Sequence, residues 1–181
     1  MLGDGEYEAA ALEAELFGNS EFESEIAPTE AAFEAALAEV LAAEAAHAGD
    51  VSEAESLLGA AVPLVVRSMG AQHALRPVLP AVIRANGQLV SSLHRLGPAG
   101  RQLLRLDGAI MRRTIGALLA AQQRGLPLTP TLVRDILAAQ TLRVLQTPRL
   151  AGPALLRNTL IRQTTVAPAG RRPAQPAPGR M

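Results

Sequence analysis

The sequence predicts an all-α protein, a bundle of five or six helices between an acidic N-terminal tail and a basic, Pro-rich C-terminal tail. Apolar residues recur at spacings of three and four through the middle of the chain, as on the buried face of packed helices. Strand-like alternation occurs only within the first 26 residues. Apolar residues make up 49% of the chain and aromatic residues 2%, so the core must be aliphatic.

These patterns divide the chain into three parts. Residues 1–28 are rich in Gly and Glu, and we expect a disordered acidic tail. Residues 29–164 carry the helical pattern and form the predicted domain. Residues 165–181 are rich in Pro and Arg and predict a second disordered tail.

The first helix is predicted to begin at Thr29 as N-cap, with Glu30 favourably placed in its first turn. Gly49 ends the pattern. The large apolar residues on one face of this helix are Phe33, Leu37, Val40 and Leu41.

A second helix is predicted over residues 53–69. Ser52 and Glu55 have the spacing of a capping box at its start. Gly59 and Pro63 lie inside it, so we expect a kink or a break near Val62.

The most regular pattern follows, with a helix predicted to start near residue 78. Its apolar seam contains one polar member, Asn86, which precedes Gly87. A polar residue in a seam can fix the register of packed helices, whereas Asn-Gly is also typical of a kink, which we favour here. The seam consists of Leu75, Leu79, Val82, Asn86, Leu89, Leu93 and Leu96.

Three further helices are predicted after a Gly- and Pro-containing break at residues 97–100. The first covers residues 99–124, and the second covers 130–146 with Thr129 as N-cap and Pro130 in its first turn. The third starts at Pro148, ends near residue 163 and is interrupted by Gly152 and Pro153.

Charge is strongly segregated although the formal net charge is zero. Of the 17 acidic residues, 15 lie in residues 4–55, and all 17 basic residues, every one an arginine, lie in residues 67–180. The remaining acids are Asp107 and Asp135. Such asymmetry bears on association and on the choice of partners.

Recognisable catalytic and cofactor motifs are absent from the sequence. There is no Cys, no phosphate-binding loop and no dinucleotide fingerprint. His47, His73 and His94 are far apart, and Ser91 and Ser92 near His94 lack a nucleophile elbow. The glutamates at 30, 34 and 44 lack the Glu-x-x-His partner of a di-metal bundle and suit a solvated helix face. We therefore expect a protein that is not an enzyme and needs no cofactor or metal.

The expected function is protein interaction, by self-association into an oligomer or by docking to a protein partner through complementary charge. Nucleic-acid binding by the Arg-rich region and binding of its amphipathic helices to a membrane surface are the alternatives. The period-two pattern of the acidic tail could also add a strand to the sheet edge of a partner. The predicted interaction residues are Tyr7, Phe17, Phe22, Arg101, Arg105, Arg112 and Arg113.

Compartment follows from what the N-terminus lacks. Residues 1–8 contain no basic region followed by an apolar stretch, as a classical signal peptide would. The longest apolar run, residues 57–66, is about half the roughly 20 residues needed to span a bilayer. We expect a cytoplasmic protein, or one released within a particle.

The layout resembles a group of bacterial proteins with Glu-aromatic-Glu repeats at the N-terminus. The segment GEYEAAALEAELFGNSEFESE, residues 5–25, precedes an Ala-rich helix and an Arg-rich helical region as in that group. Some genes of that group lie near those for extracellular contractile injection systems. The resemblance implies a structural or cargo role in a particle and assigns no residue a function. The present repeats are fewer, and the Cys-containing C-terminal segment of some members is missing.

Overall fold

The computed structural model describes residues 30–166, with side chains as far as Gln163, and confirms the all-α class. No strand occurs in this part of the chain, and its six long helices match the expected number. The predicted tail 1–28 and nearly all of the tail 165–181 lie outside the described residues. The helices are α1 (Glu30–Ala45), α2 (Val51–Ser68), α3 (Gln72–Leu75), α4 (Leu79–Arg95), α5 (Gly97–Leu103), a 3-10 turn (Leu104–Leu106), α6 (Asp107–Gln123), α7 (Pro130–Gln146) and α8 (Pro148–Val166).

Helix α1 lies against α2 and α8 through alanines. Ala38, Ala42 and Ala45 are fully buried, and their small side chains allow the neighbouring backbones to approach closely. Of the four large apolar residues predicted on the buried face, Phe33 is 62% exposed and Leu37 is also exposed, which corrects the prediction for these two. Leu41 is half-buried and packs against the core as predicted.

Helix α2 begins two residues earlier than predicted. Asp50 is the N-cap, with its Oδ1 accepting a hydrogen bond from the Glu53 backbone N–H at 2.8 Å. The Glu53 carboxylate accepts in turn from the N–H of Gly49, so the capping box is Asp50 with Glu53 rather than Ser52 with Glu55. The break predicted near Val62 is wrong, because α2 continues unbroken through Pro63.

The helix predicted over residues 99–124 is divided by the 3-10 turn into α5 and α6. Gly100 explains the tight connection to α4. A Cβ atom at this position would lie 2.0 Å from the Leu93 carbonyl oxygen, so only glycine allows the approach. Within α4 the helix runs through Asn86 and Gly87, and Asn86 is completely buried.

Helices α7 and α8 complete the bundle. The bounds of α7 are those predicted, and the Thr129 hydroxyl accepts a hydrogen bond from the N–H of Leu132 at 3.2 Å as the N-cap. Helix α8 continues through Pro153 without the predicted interruption. Most buried apolar side chains of the described helices form one contiguous core.

Candidate functional site

Glutamates of α1 form ion pairs with arginines from three other helices. The sequence predicts a solvated face for these acids, but Glu34 and Glu39 are buried. The segregated charges are thus partly neutralised inside the fold. The pairs are Glu34 with Arg67 of α2, Glu39 with Arg112 of α6 at 2.7 Å, and Glu44 with Arg162 of α8 at 3.8 Å.

Glu39 is the best enclosed of these glutamates, with 2% of its surface exposed. One carboxylate oxygen accepts a hydrogen bond from Arg112 at 2.7 Å and the other accepts from Asn158 Nδ2 at 3.2 Å. Asn158 also donates to the Glu39 backbone carbonyl at 2.7 Å. Gly108 lies against this carboxylate, since a Cβ atom there would come within 2.8 Å of Oε1.

Asp107 occupies a buried position next to these groups and receives a long hydrogen bond, 3.5 Å, from Asn86 Nδ2. Burial raises the pKa of Asp107 from 3.8 to about 7. The hydrogen bond from Asn86 lowers the pKa of Asp107, the negative charge of Glu39 raises it further, and the positive charge of Arg112 lowers it. Asn86 Oδ1 is buried and accepts no hydrogen bond from the described residues.

We call Glu39, Asn86, Asp107, Arg112 and Asn158 the buried polar cluster. It joins α1, α4, α6 and α8, so a shift in the register of any of these helices would leave a buried polar group unpaired. This arrangement gives Asn86 a role in register, although the sequence pattern favours a kink. The cluster therefore specifies the fold, and all of its members except Arg112 are enclosed from ligands.

A groove opens on the outer side of α6 and α8, beside the C-terminal half of α7. Its volume is about 240 Å³. Arginines from α6 and α8 line it, together with apolar residues that include the buried Val144 and Ala154. We call this the arginine groove, lined by Ala109, Arg112, Arg113, Val144, Arg149, Leu150, Pro153, Ala154 and Arg157.

Arg149 and Arg157 give the arginine groove its available charge. Both side chains are exposed, and neither pairs with a carboxylate of residues 30–163. Arg112 lines the same groove while holding Glu39 of the buried polar cluster, with 22% of its side chain exposed. A guanidinium presents a planar fork of donors that matches carboxylates and phosphates. The groove can therefore accept an anionic group over an apolar floor.

The structure separates the four predicted arginines. Arg112 and Arg113 line the arginine groove. Arg105 instead donates from Nε to Asn158 Oδ1 at 3.0 Å, and Arg101 lines a different cleft next to His47. The predicted aromatic anchors, Tyr7, Phe17 and Phe22, lie outside the described residues.

The serines and the histidine near the end of α4 do not form a catalytic arrangement. Ser92 donates to the Gln88 carbonyl at 2.8 Å, and Ser91 donates to the Glu55 carboxylate. The groove that Ser92 lines contains neither a histidine nor a carboxylate. Over residues 30–163 we find no group of three or more His, Asp or Glu residues able to hold a metal ion.

Sequence reasoning missed Arg149, Arg157 and the buried polar cluster. Asp107 carried a usable signal, because an acid among 17 arginines and inside an apolar helix needs a partner. Arg149 and Arg157 carried none, since the groove arises only where the packing of α8 on α7 and on the 3-10 turn brings it beside α6.

The chain was compared with protein-family models, curated proteins and solved structures. No significant match was found. Within the described residues, every helix is too short or too polar to cross a membrane.

Proposed function

We propose that this is a non-enzymatic interaction protein that docks acidic protein segments in the arginine groove. The observation that carries the proposal is the pair of exposed arginines, Arg149 and Arg157, which have no carboxylate partner among the described residues and stand over an apolar floor. The resemblance in layout supports a role as a component or cargo of a bacterial particle.

The charge of the described part favours an anionic partner. Residues 30–166 contain 14 arginines and nine acids. Ion pairs with α1 use Arg67, Arg112 and Arg162, whereas the exposed Arg149 and Arg157 have no carboxylate partner among the described residues. Charge complementarity of this kind speeds encounter and orients the partner, whereas burial of an apolar side chain adds affinity.

The groove floor selects among anionic partners. Ala109, Leu150 and Pro153 offer apolar surface beside the arginines of the groove. A segment with alternating carboxylates and apolar side chains satisfies both features at once. Such alternation is found in residues 5–25 of this chain, which makes that sequence a suitable probe.

The test is a fluorescence anisotropy titration with a labelled peptide, GEYEAAALEAELFGNSEFESE. Every variant is made in the full chain carrying E21Q/E23Q/E25Q, so that the chain's own copy of this sequence competes less with the peptide. We expect the double variant R149Q/R157Q to bind about 5- to 30-fold more weakly, because two surface charge contacts contribute about 1–2 kcal/mol together. The matched control R76Q/R84Q removes two exposed arginines from the α3–α4 region and should leave the affinity within about twofold. Equal weakening by both double variants would overturn the proposal.

The same titration separates acidic protein segments from nucleic acid. A single-stranded and a double-stranded oligonucleotide, each matched to the peptide in charge, are added as competitors. We expect neither to displace the peptide as well as unlabelled peptide does, because phosphates make no use of the apolar floor. Stronger displacement by either oligonucleotide would favour the nucleic-acid alternative.

A further inference from the structure

We infer that the arginine groove is occupied within the isolated protein by the chain's own acidic segment, residues 5–25, which competes with outside partners. The inference rests on the proposed function, since it names the resident occupant of the same groove. It makes the protein self-inhibited, so that a partner must displace the segment before it can dock.

Charge complementarity is the first argument. Residues 1–29 carry eight acidic residues and no basic residue. Residues 30–181 carry nine acids and 17 arginines, so the remainder of the chain has a surplus of eight positive charges. At the groove, Arg149 and Arg157 have no carboxylate partner among the described residues. The acidic segment and these two arginines belong to the same molecule.

The direction of α1 relative to α8 is the second argument. Glu39 contacts Asn158, and five residues later Glu44 contacts Arg162, four residues after Asn158. The two neighbouring helices therefore run in the same direction. Glu30 lies nine residues before Glu39 on α1, and Arg149 lies nine residues before Asn158 on α8. At 1.5 Å per residue, both are therefore about 14 Å from the Glu39–Asn158 contact, measured toward the N-terminal ends of the two helices.

This alignment places the start of α1 level with the end of α8 that lines the arginine groove. The acidic segment joins the domain at the residue before Glu30. Glu25 is five residues from Glu30 and Glu21 is nine, so extended chain would let them reach about 17 Å and 30 Å. The groove arginines Arg149 and Arg157 are about 12 Å apart along α8. The reach of Glu21 and Glu25 therefore exceeds the separation along the bundle between the start of α1 and the two groove arginines.

Effective concentration decides between docking in the same molecule and docking in a second copy. A short flexible connection holds its ends at an effective concentration in the millimolar range. Contacts at a half-exposed groove are individually weak, so a second copy at micromolar concentration competes poorly with the attached segment. The connection to α1 thus favours docking within one chain.

The absence of Cys from the chain makes a direct test simple. A nitroxide spin label is attached to S24C in the full chain, and broadening of methyl NMR signals is recorded. We expect broadening at Val144 and Leu150 of the groove, with Leu126 beyond α6 as the reference. Docking between molecules is tested with an equal mixture of two chains, one carrying only the isotope label and the other only the nitroxide. We expect no broadening in this mixture.

A second variant removes the charges of the segment. E21Q/E23Q/E25Q should reduce the broadening at Leu150 and raise the affinity for the labelled acidic peptide by several-fold, since the internal competitor is weakened. As a matched control, E6Q/E8Q/E13Q removes the same number of charges farther from α1 and should have a smaller effect.

The outcomes distinguish this inference from the proposed function. Broadening in the mixed sample would overturn docking within one chain while supporting an acidic segment of a second copy as the occupant. Broadening in neither sample, together with a peptide affinity that E21Q/E23Q/E25Q does not change, would overturn the inference. The proposed function would then be decided by the effect of R149Q/R157Q on peptide binding. Failure of the peptide to bind even the charge-neutralised chain would overturn the proposed function itself.

Discussion

Arginines on the two sides of α8 have opposite surroundings. Toward α1, Arg105, Arg112 and Arg162 contact Asn158, Glu39 and Glu44. Toward solvent, Arg149 and Arg157 stand over apolar surface with no carboxylate partner among the described residues. The same residue type stabilises the fold on one side and is available for binding on the other. The total charge of a region therefore does not reveal its function. Whether an arginine stabilises the fold or is available for binding depends on the helix face on which it lies.

The largest effect on stability is expected from removing Glu39, the central acid on the side of α8 that faces α1. E39A would leave Arg112 without its carboxylate and Asn158 Nδ2 with only the backbone carbonyl of residue 39 as acceptor in a buried site. We expect a loss of about 3–5 kcal/mol in the free energy of unfolding, measured by urea denaturation. E39Q keeps an acceptor of the same shape and should lose less. Equal stability of E39A and the parent would mean that the inner pairs do not hold the bundle together.

The next effect is a pH dependence from Asp107. Because its folded pKa is about 7 and its ordinary value is 3.8, the folded protein holds this proton more tightly than the unfolded chain. Its contribution to stability is complete below pH 4 and declines as the pH rises through 7. D107N should therefore be more stable than the parent at pH 8, by about 2 kcal/mol and by no more than about 4, and nearly equal at pH 4.

The measurement for D107N is a series of urea unfolding curves between pH 4 and pH 8. D135N is the matched control, because Asp135 is exposed on α7 and should leave the pH profile unchanged. A parent protein whose stability rises over this range, with D107N falling below it, would contradict the burial of a neutral Asp107.

A smaller effect is expected from G108A, which places a Cβ atom against the Glu39 carboxylate at 2.8 Å. That carboxylate is held by Arg112 and Asn158, so its displacement should cost about 1 kcal/mol. Gly116 on the same helix has open space around it, and G116A should gain about 0.5–1 kcal/mol from helix propensity. Thermal unfolding of both variants tests whether the carboxylate is fixed where the structure places it.

The smallest effect on stability is expected from substituting the arginines on the solvent-facing side of α8. R149Q/R157Q should change the free energy of unfolding by less than about 0.5 kcal/mol, since both side chains are exposed and lack a carboxylate partner in the described part. Urea denaturation at two salt concentrations provides the measurement. A loss comparable to that of E39A would show that the groove arginines maintain the fold.

Local signals in the sequence predicted the helices well. Periodicity located most of the seam of α4, although its last predicted member, Leu96, is 67% exposed, and Thr129 with Pro130 located the start of α7. The break predicted near Val62 failed because Val62, Val65 and Val66 are buried in the core, and their packing keeps α2 continuous. The single helix over 99–124 failed because the tight packing of Gly100 on α4 is a tertiary contact that no local pattern records.

The candidate site was much less predictable. Arg112 and Arg113 could be named as interaction residues from charge alone, yet Arg101 and Arg105 looked equivalent and lie elsewhere. Glu39 appeared to belong to a solvated face of an Ala-rich helix, whereas α1 turns its alanines and Glu39 inward. Which face of α1 is buried depends on close helix approach, and a hydrophobic pattern that favours Phe33 points the other way.

The most direct measurement follows the arginine Nε–Hε signals by NMR while the full chain carrying E21Q/E23Q/E25Q is titrated with the peptide GEYEAAALEAELFGNSEFESE. The three substitutions weaken the chain's own copy of this sequence as a competitor for the groove, and the experiment observes both sides of α8 at once. We predict that the signals of Arg149 and Arg157 shift in a saturable manner while that of Arg105 stays in place. Similar shifts at every exposed arginine, or a shift at Arg105 with none at Arg149 and Arg157, would contradict the assignment of docking to the arginine groove.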